Sequence, residues 1–183
     1  MEKINGYDEA QAITGDFEVL NAGGYICEIR GAKEEKSSTG KRMLVIAFDI
    51  CEGEKKGFYQ RRFDEDTRID KKWQGTYRQM LEGEKALGYL KGIMTALEAS
   101  NAGFKWEWDE KKLKGLKFGG IFGREEYERM DGTRSFLTKI RFIRSVEKVR
   151  NGEFQIPKDK LLPAKSELSF ETDFAADNDD MPF

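Results

Sequence analysis

The chain has 183 residues, of which 36% are charged and 38% apolar, enough for one domain with a buried core and too few for two comfortable ones. It contains no histidine, which removes most zinc sites, serine triads and imidazole acid–base chemistry. The formal net charge of −2 conceals an asymmetry: residues 164–183 carry −5, and the 31 bases and 28 acids of the remainder give it +3, the distribution of a nucleic-acid binder with an acidic interaction tail.

Residues 1–23 are a mixed lead-in without clear periodicity. From there the pattern is β-like. Residues 25–30 (YICEIR) alternate, with Tyr25, Cys27 and Ile29 on one face and Glu28 and Arg30 on the other. Residues 33–40 (KEEKSSTG) read as a polar loop and residues 42–50 (RMLVIAFDI) as a nearly continuous apolar strand. Residues 52–57 form a turn, and residues 58–63 (FYQRRF) a third strand. A long polar insertion, residues 64–83, carries Trp73 and Tyr77.

Residues 84–100 predict a helix, because Leu87, Leu90, Ile93, Met94 and Leu97 recur at helical spacing. Residues 104–109 (FKWEWD) alternate rings and charges, and their tryptophans read as a packing cluster. Residues 116–127 and 136–146 predict two more strands joined by a turn at Asp131-Gly132. Gly115, Gly119, Gly120 and Gly123 punctuate the first of these, as expected of a bent strand or of a closely approaching backbone. Residues 154–157 suggest a last docked strand.

Three strands, a helix and two strands is the order of a five-stranded OB barrel, in which the helix sits between strands three and four. The expected organisation is therefore a mainly β domain over residues 24–163 and a disordered acidic tail over residues 164–183. No stretch approaches the ~18 apolar residues of a membrane span, and residues 1–5 (MEKIN) do not begin a signal peptide. Cys27 and Cys51 read as buried thiols of a reducing compartment. A cytoplasmic location follows as the expectation, with no membrane association.

The tail ends in Asp177-Asn178-Asp179-Asp180-Met181-Pro182-Phe183. A terminal ring and carboxylate behind clustered Asp residues make a compact recognition peptide: the ring fills an apolar pocket and the acids meet Arg or Lys at its rim. This tip resembles the acidic tip of bacterial single-stranded DNA-binding proteins, with Met181 where Ile or Leu is usual. Residues 73–77 (WQGTY), 103–108 (GFKWEW) and 122–127 (FGREEY) resemble phage single-stranded DNA-binding proteins. The resemblance implies a sequence-independent binder that protects single strands during replication or recombination. It also implies a tail, with Asp177, Asp179, Asp180, Met181, Pro182 and Phe183, that recruits replication or recombination proteins. The long insertion before the helix departs from the bacterial pattern and puts the bacterial tetramer in doubt; the sequence leaves a monomer or a homodimer open.

Such binding needs cations for phosphates and rings for bases. On the expected third strand Tyr59 and Arg61 share a face, with Arg62 opposite; on the fifth, Lys139 and Arg141 share a face, and Arg144 extends the basic end. Lys41 and Arg42 lie at the tip of the first hairpin, and Lys71, Lys72, Trp73 and Tyr77 in the polar insertion. Phe63, Phe136 and Phe142 read as core. No catalytic residue, metal site or cofactor is expected. Residues 38–42 (STGKR) fail as a phosphate-binding loop, since position 35 is Glu and the residue after Lys41 is Arg. Two alternatives remain. A metal-dependent nuclease would use Asp49, Glu52, Glu54 and Lys55, residues otherwise read as a charged turn. A strand-annealing recombination protein would form rings or filaments.

Overall fold

In a computed structural model of the protein, residues 18–163 are described. Most of the expected lead-in, the acidic tail and its terminal tip lie outside these residues. The fold is mainly β. Five antiparallel strands, β1 (Gly23–Lys36), β2 (Arg42–Ile50), β3 (Thr76–Met80), β4 (Lys117–Glu128) and β5 (Arg134–Arg144), form one sheet in the order β3-β2-β1-β4-β5. Helix α1 (Phe58–Glu65) precedes β3, α2 (Ala86–Ser100) lies between β3 and β4, and α3 (Val146–Arg150) follows β5.

The strand expected over residues 58–63 is helix α1. Its six-residue pattern satisfies both periods: Phe58 with Arg62, and Tyr59 with Phe63, are also spaced i, i+4. Three features decide for the helix. Gly57 takes a left-handed backbone (φ 73°). The buried carboxylate of Asp49 then accepts the backbone N–H groups of Tyr59 (2.9 Å) and Gln60 (3.2 Å), satisfying donors that the first turn leaves orphaned. Arg62 finally lies over the Phe58 ring, 5.6 Å from its centre.

The third strand comes instead from the polar insertion, where Tyr77 and Gln79 turn inward and Thr76, Arg78 and Met80 outward. β1 also runs through the expected loop as far as Lys36, because residues 33–36 pair with residues 42–45 of β2.

The main core lies under the inner face of the sheet. Phe48 has no exposure, and its ring meets Tyr59, Phe118 and Phe122 edge-on at 5.4, 5.6 and 6.0 Å. Helix α2 adds Leu90, Ile93, Met94 and Leu97, whereas Leu87, expected on that stripe, is 61% exposed. A second small cluster (Ile26, Ile121, Val146 and Val149) seals the other face beneath α3. Gly119 permits this, since a Cβ there would stand 2.8 Å from the Ser145 carbonyl oxygen. Residues 154–157 form no strand. Instead Lys160 makes a parallel bridge to Glu125, on the β4 edge that β1 leaves uncovered.

Candidate nucleic-acid interface

β3 pairs with β2 alone and β5 with β4 alone, so both are edge strands, and the chain of antiparallel pairings makes them run in the same direction. Between them lies a groove of about 840 Å³. β3 contributes Thr76 and Arg78, β5 contributes residues 135–140, β4 and its turn contribute Tyr127 and Arg129, and α1 contributes Tyr59 and Arg62. Glu18, Val19, Leu20, Phe58 and Gln74 complete the lining.

Four cations therefore line one cleft: Arg62, Arg78, Arg129 and Lys139. Among the described residues Arg62 and Arg78 have no carboxylate within ion-pair distance; Arg62 lies over Phe58 and Arg78 donates to the Thr76 hydroxyl at 3.3 Å. Arg129 donates to the Ser135 hydroxyl at 3.1 Å and, together with Ser135, holds the Tyr127 phenol below its usual pKa. Lys139 is paired with Glu125 at 3.0 Å. Glu18, the acid in the lining, is already neutralised. Partial burial opposes its ionisation, but hydrogen bonds from Arg61 and Lys55 outweigh this and hold its carboxyl below the ordinary range. Phe136 is 42% exposed, with the Arg124 guanidinium 5.0 Å from its ring centre. Cations, a phenol and an accessible ring share the cleft.

The other residues expected at the site fall in several places. Tyr59 and Tyr77 are buried in the core, not offered for stacking: burial raises both phenols, that of Tyr77 to about 12. Trp73, expected in a polar loop, packs against the core and the Phe63 ring, and its Nε1 donates to the carbonyls of Phe48 and Gly75, each at 3.1 Å. The one indole N–H is shared between these two carbonyls, which holds the half-buried ring against β2.

Arg61 pairs with Glu18 at 2.8 Å and Arg42 with Glu34 at 2.6 Å. Lys71 donates to the Phe63 carbonyl at 3.1 Å, with its ammonium 4.5 Å above that ring. Arg144 caps the Phe142 ring at 5.2 Å. Arg141 lies beside Gly123, at the packing of Pro157. Lys41 and Lys72 are exposed.

Of the residues expected to bind, Arg62 and Lys139 line the groove as cations, and Tyr59 contributes part of its wall. Arg78, Arg129, Tyr127 and Phe136 were not among the residues expected to bind. Alternation over residues 76–80 could have revealed Arg78, but a five-residue strand inside a polar stretch carries a weak signal. Phe136 was assigned to the core because a ring on a strand usually is.

Two acids of the nuclease reading are committed elsewhere. Asp49 caps α1, and Glu52 binds Lys117 at 3.1 Å and Arg150 at 2.9 Å. Among the described residues no three acids or thiols come together as a group that could hold a metal ion. No helix there is long and apolar enough to cross a membrane. No protein family matches the sequence, and no curated protein is significantly similar to it.

Proposed function

We propose that the protein binds single-stranded DNA without sequence preference, with the strand lying in the β3–β5 groove of an OB-type barrel. The observation that carries this reading is the clustering of Arg62, Arg78, Arg129 and Lys139 with Tyr127 and Phe136 in one cleft. Backbone-directed cations beside sequence-tolerant rings are the two components that unspecific single-strand binding requires. The strand order and the place of α2 support the barrel, since an OB barrel has its helix between strands three and four and binds oligonucleotides beside its third strand and fourth turn. The groove supports this reading by touching two of those parts, the third strand at Arg78 and the β4–β5 turn at Arg129. The acidic tip supports a role in recruiting replication or recombination proteins to the coated strand. No bond is made or broken; the protein acts by equilibrium binding.

The test is fluorescence anisotropy of labelled oligo-dT, with matched duplex as control. Wild-type protein binds the single strand, and the double variant R78E/R129E loses at least about tenfold in affinity, as expected when two phosphate contacts become repulsive. Failure of the wild type to bind either DNA ends this reading. Equal binding by the variant removes the groove as the site.

A further inference from the structure

Trp108 is the non-glycine residue with a positive φ among the described residues, at 61°, and it is also 75% exposed. A bulky residue held in that region costs about 1–3 kcal/mol and persists where the surroundings enforce it. Glycine would make the same turn without strain. The ring that the strain exposes leans on a second one. Trp106 lies 5.9 Å away, tilted by 51°, and is itself packed against the core. Its position is fixed through its backbone N–H, which donates to Glu98 on α2 at 3.0 Å. The Trp106 indole Nε1 is buried and has no acceptor, a deficit of about 1–3 kcal/mol in a fold that satisfies nearly all such groups. Strain, an exposed ring and an orphaned donor thus coincide in three residues.

The surroundings select the ligand. Residues 105–114 (KWEWDEKKLK) carry four lysines against three acids. Lys105 pairs with Glu98, and Lys112 with Glu107. Lys111 and Lys114 are exposed and form no ion pair among the described residues. A flat indole bordered by uncommitted ammonium groups suits a base and its phosphates; a neutral apolar partner would leave the lysines unused.

We propose that Trp108, backed by Trp106, is a second stacking site for a base of the bound single strand, separate from the groove; this rests on the single-strand reading above. The 3₁₀ helix Glu110–Leu113 that follows Trp108 packs on β1, the middle strand of the sheet, whereas the groove lies between its edges. A strand that reaches both sites must wrap the domain, so the second site engages long ligands and is idle with short ones.

The experiment compares oligo-dT of about 8 and about 30 nucleotides, lengths below and above the usual span of one OB fold, on wild type and on Trp108→Gly, Trp108→Ala and Trp108→Phe. The expected result is a five- to tenfold (about 1–1.4 kcal/mol) loss on the long strand for Gly and Ala. The short strand is unaffected, and Phe largely restores binding. Thermal melting supplies the second readout: Trp108→Gly melts at or above the wild-type temperature, because the strain is relieved while the ligand contact is lost. Unchanged long-strand affinity in Trp108→Ala overturns the second site, leaves the groove reading intact and turns attention to a protein partner for Trp108. An equal loss on both lengths also overturns it, as that would reflect damage to the fold. Wild type that binds neither length removes the single-strand reading itself.

Discussion

Trp73 and Phe48 show how much a single ring can carry in this fold. Phe48 stands at the centre of the core, and its carbonyl accepts from the Trp73 indole, which also reaches the carbonyl of Gly75. Trp73→Phe keeps the ring but strands the Phe48 carbonyl without its donor. The expected cost is about 1–2 kcal/mol in urea denaturation, with DNA affinity unchanged; a loss of affinity with unchanged stability would return Trp73 to the binding site. Phe48→Ala removes three edge-on ring contacts and should cost about 3–5 kcal/mol, read from the same denaturation curves. At this scale the sequence revealed an aromatic-rich chain but not which rings face inward. A tryptophan between Lys72 and Gln74 looks exposed. It becomes structural because Gly75 lets the chain close on β2: a Cβ at Gly75 would stand 2.8 Å from the Tyr59 ring.

The elements divide by the strength of their patterns. β2 coincides with its expected bounds, and α2, β4 and β5 lie within two residues of theirs, because each carries a long apolar period or a turn signal at its end. α1 was expected as a strand because its six-residue pattern fits either period, and β3 was expected as loop because it has only five mixed residues in a polar stretch. What decides α1 is a tertiary contact, the Asp49 carboxylate ten residues upstream, which no local pattern contains. Asp49→Ala leaves the backbone donors of Ile50, Tyr59 and Gln60 without that acceptor. It should cost about 1–3 kcal/mol and release α1 first, as faster amide exchange over residues 58–65.

Glu52 performs a comparable task at the end of β2. Hydrogen bonds from Arg150 and Lys117 lower its pKa and tie α3 and β4 to the turn. A carboxyl lowered by folding stabilises fully above its unfolded value of about 4.3, and that contribution fades as pH falls through the lower folded value. Glu52→Gln should therefore cost about 0.5–1 kcal/mol at pH 7, the range for solvent-accessible pairs, with the difference shrinking in acid; an equal deficit at all pH values would refute the linkage.

For the molecule as a whole, charge placement matters more than net charge. The groove gathers four cations on a chain of net −2, while Arg42, Arg61, Lys117 and Arg150 elsewhere sit in ion pairs. The 20 residues after Pro163 carry −5. Arg134, at the start of β5, donates to the Pro163 carbonyl at 2.7 Å, which sets Pro163 beside the groove wall formed by residues 135–140. The contour of the residues after Pro163, up to about 70 Å, is ample to reach Arg78 and Arg129, where, on the proposed single-strand reading, acids would compete with phosphates for the same guanidinium groups. Deleting residues 177–183 removes three acids together with the terminal Met-Pro-Phe. DNA affinity should then rise or stay level, most visibly at low salt where screening is weakest. The logarithm of affinity should still fall against log salt with a slope of about −0.7 per phosphate neutralised, because the groove cations remain. Capture of replication or recombination proteins by the DNA-bound protein should disappear in the same variant. Weaker DNA binding by the truncated chain, measured by anisotropy across a salt series, would mean that the terminal residues assist the strand instead of competing with it.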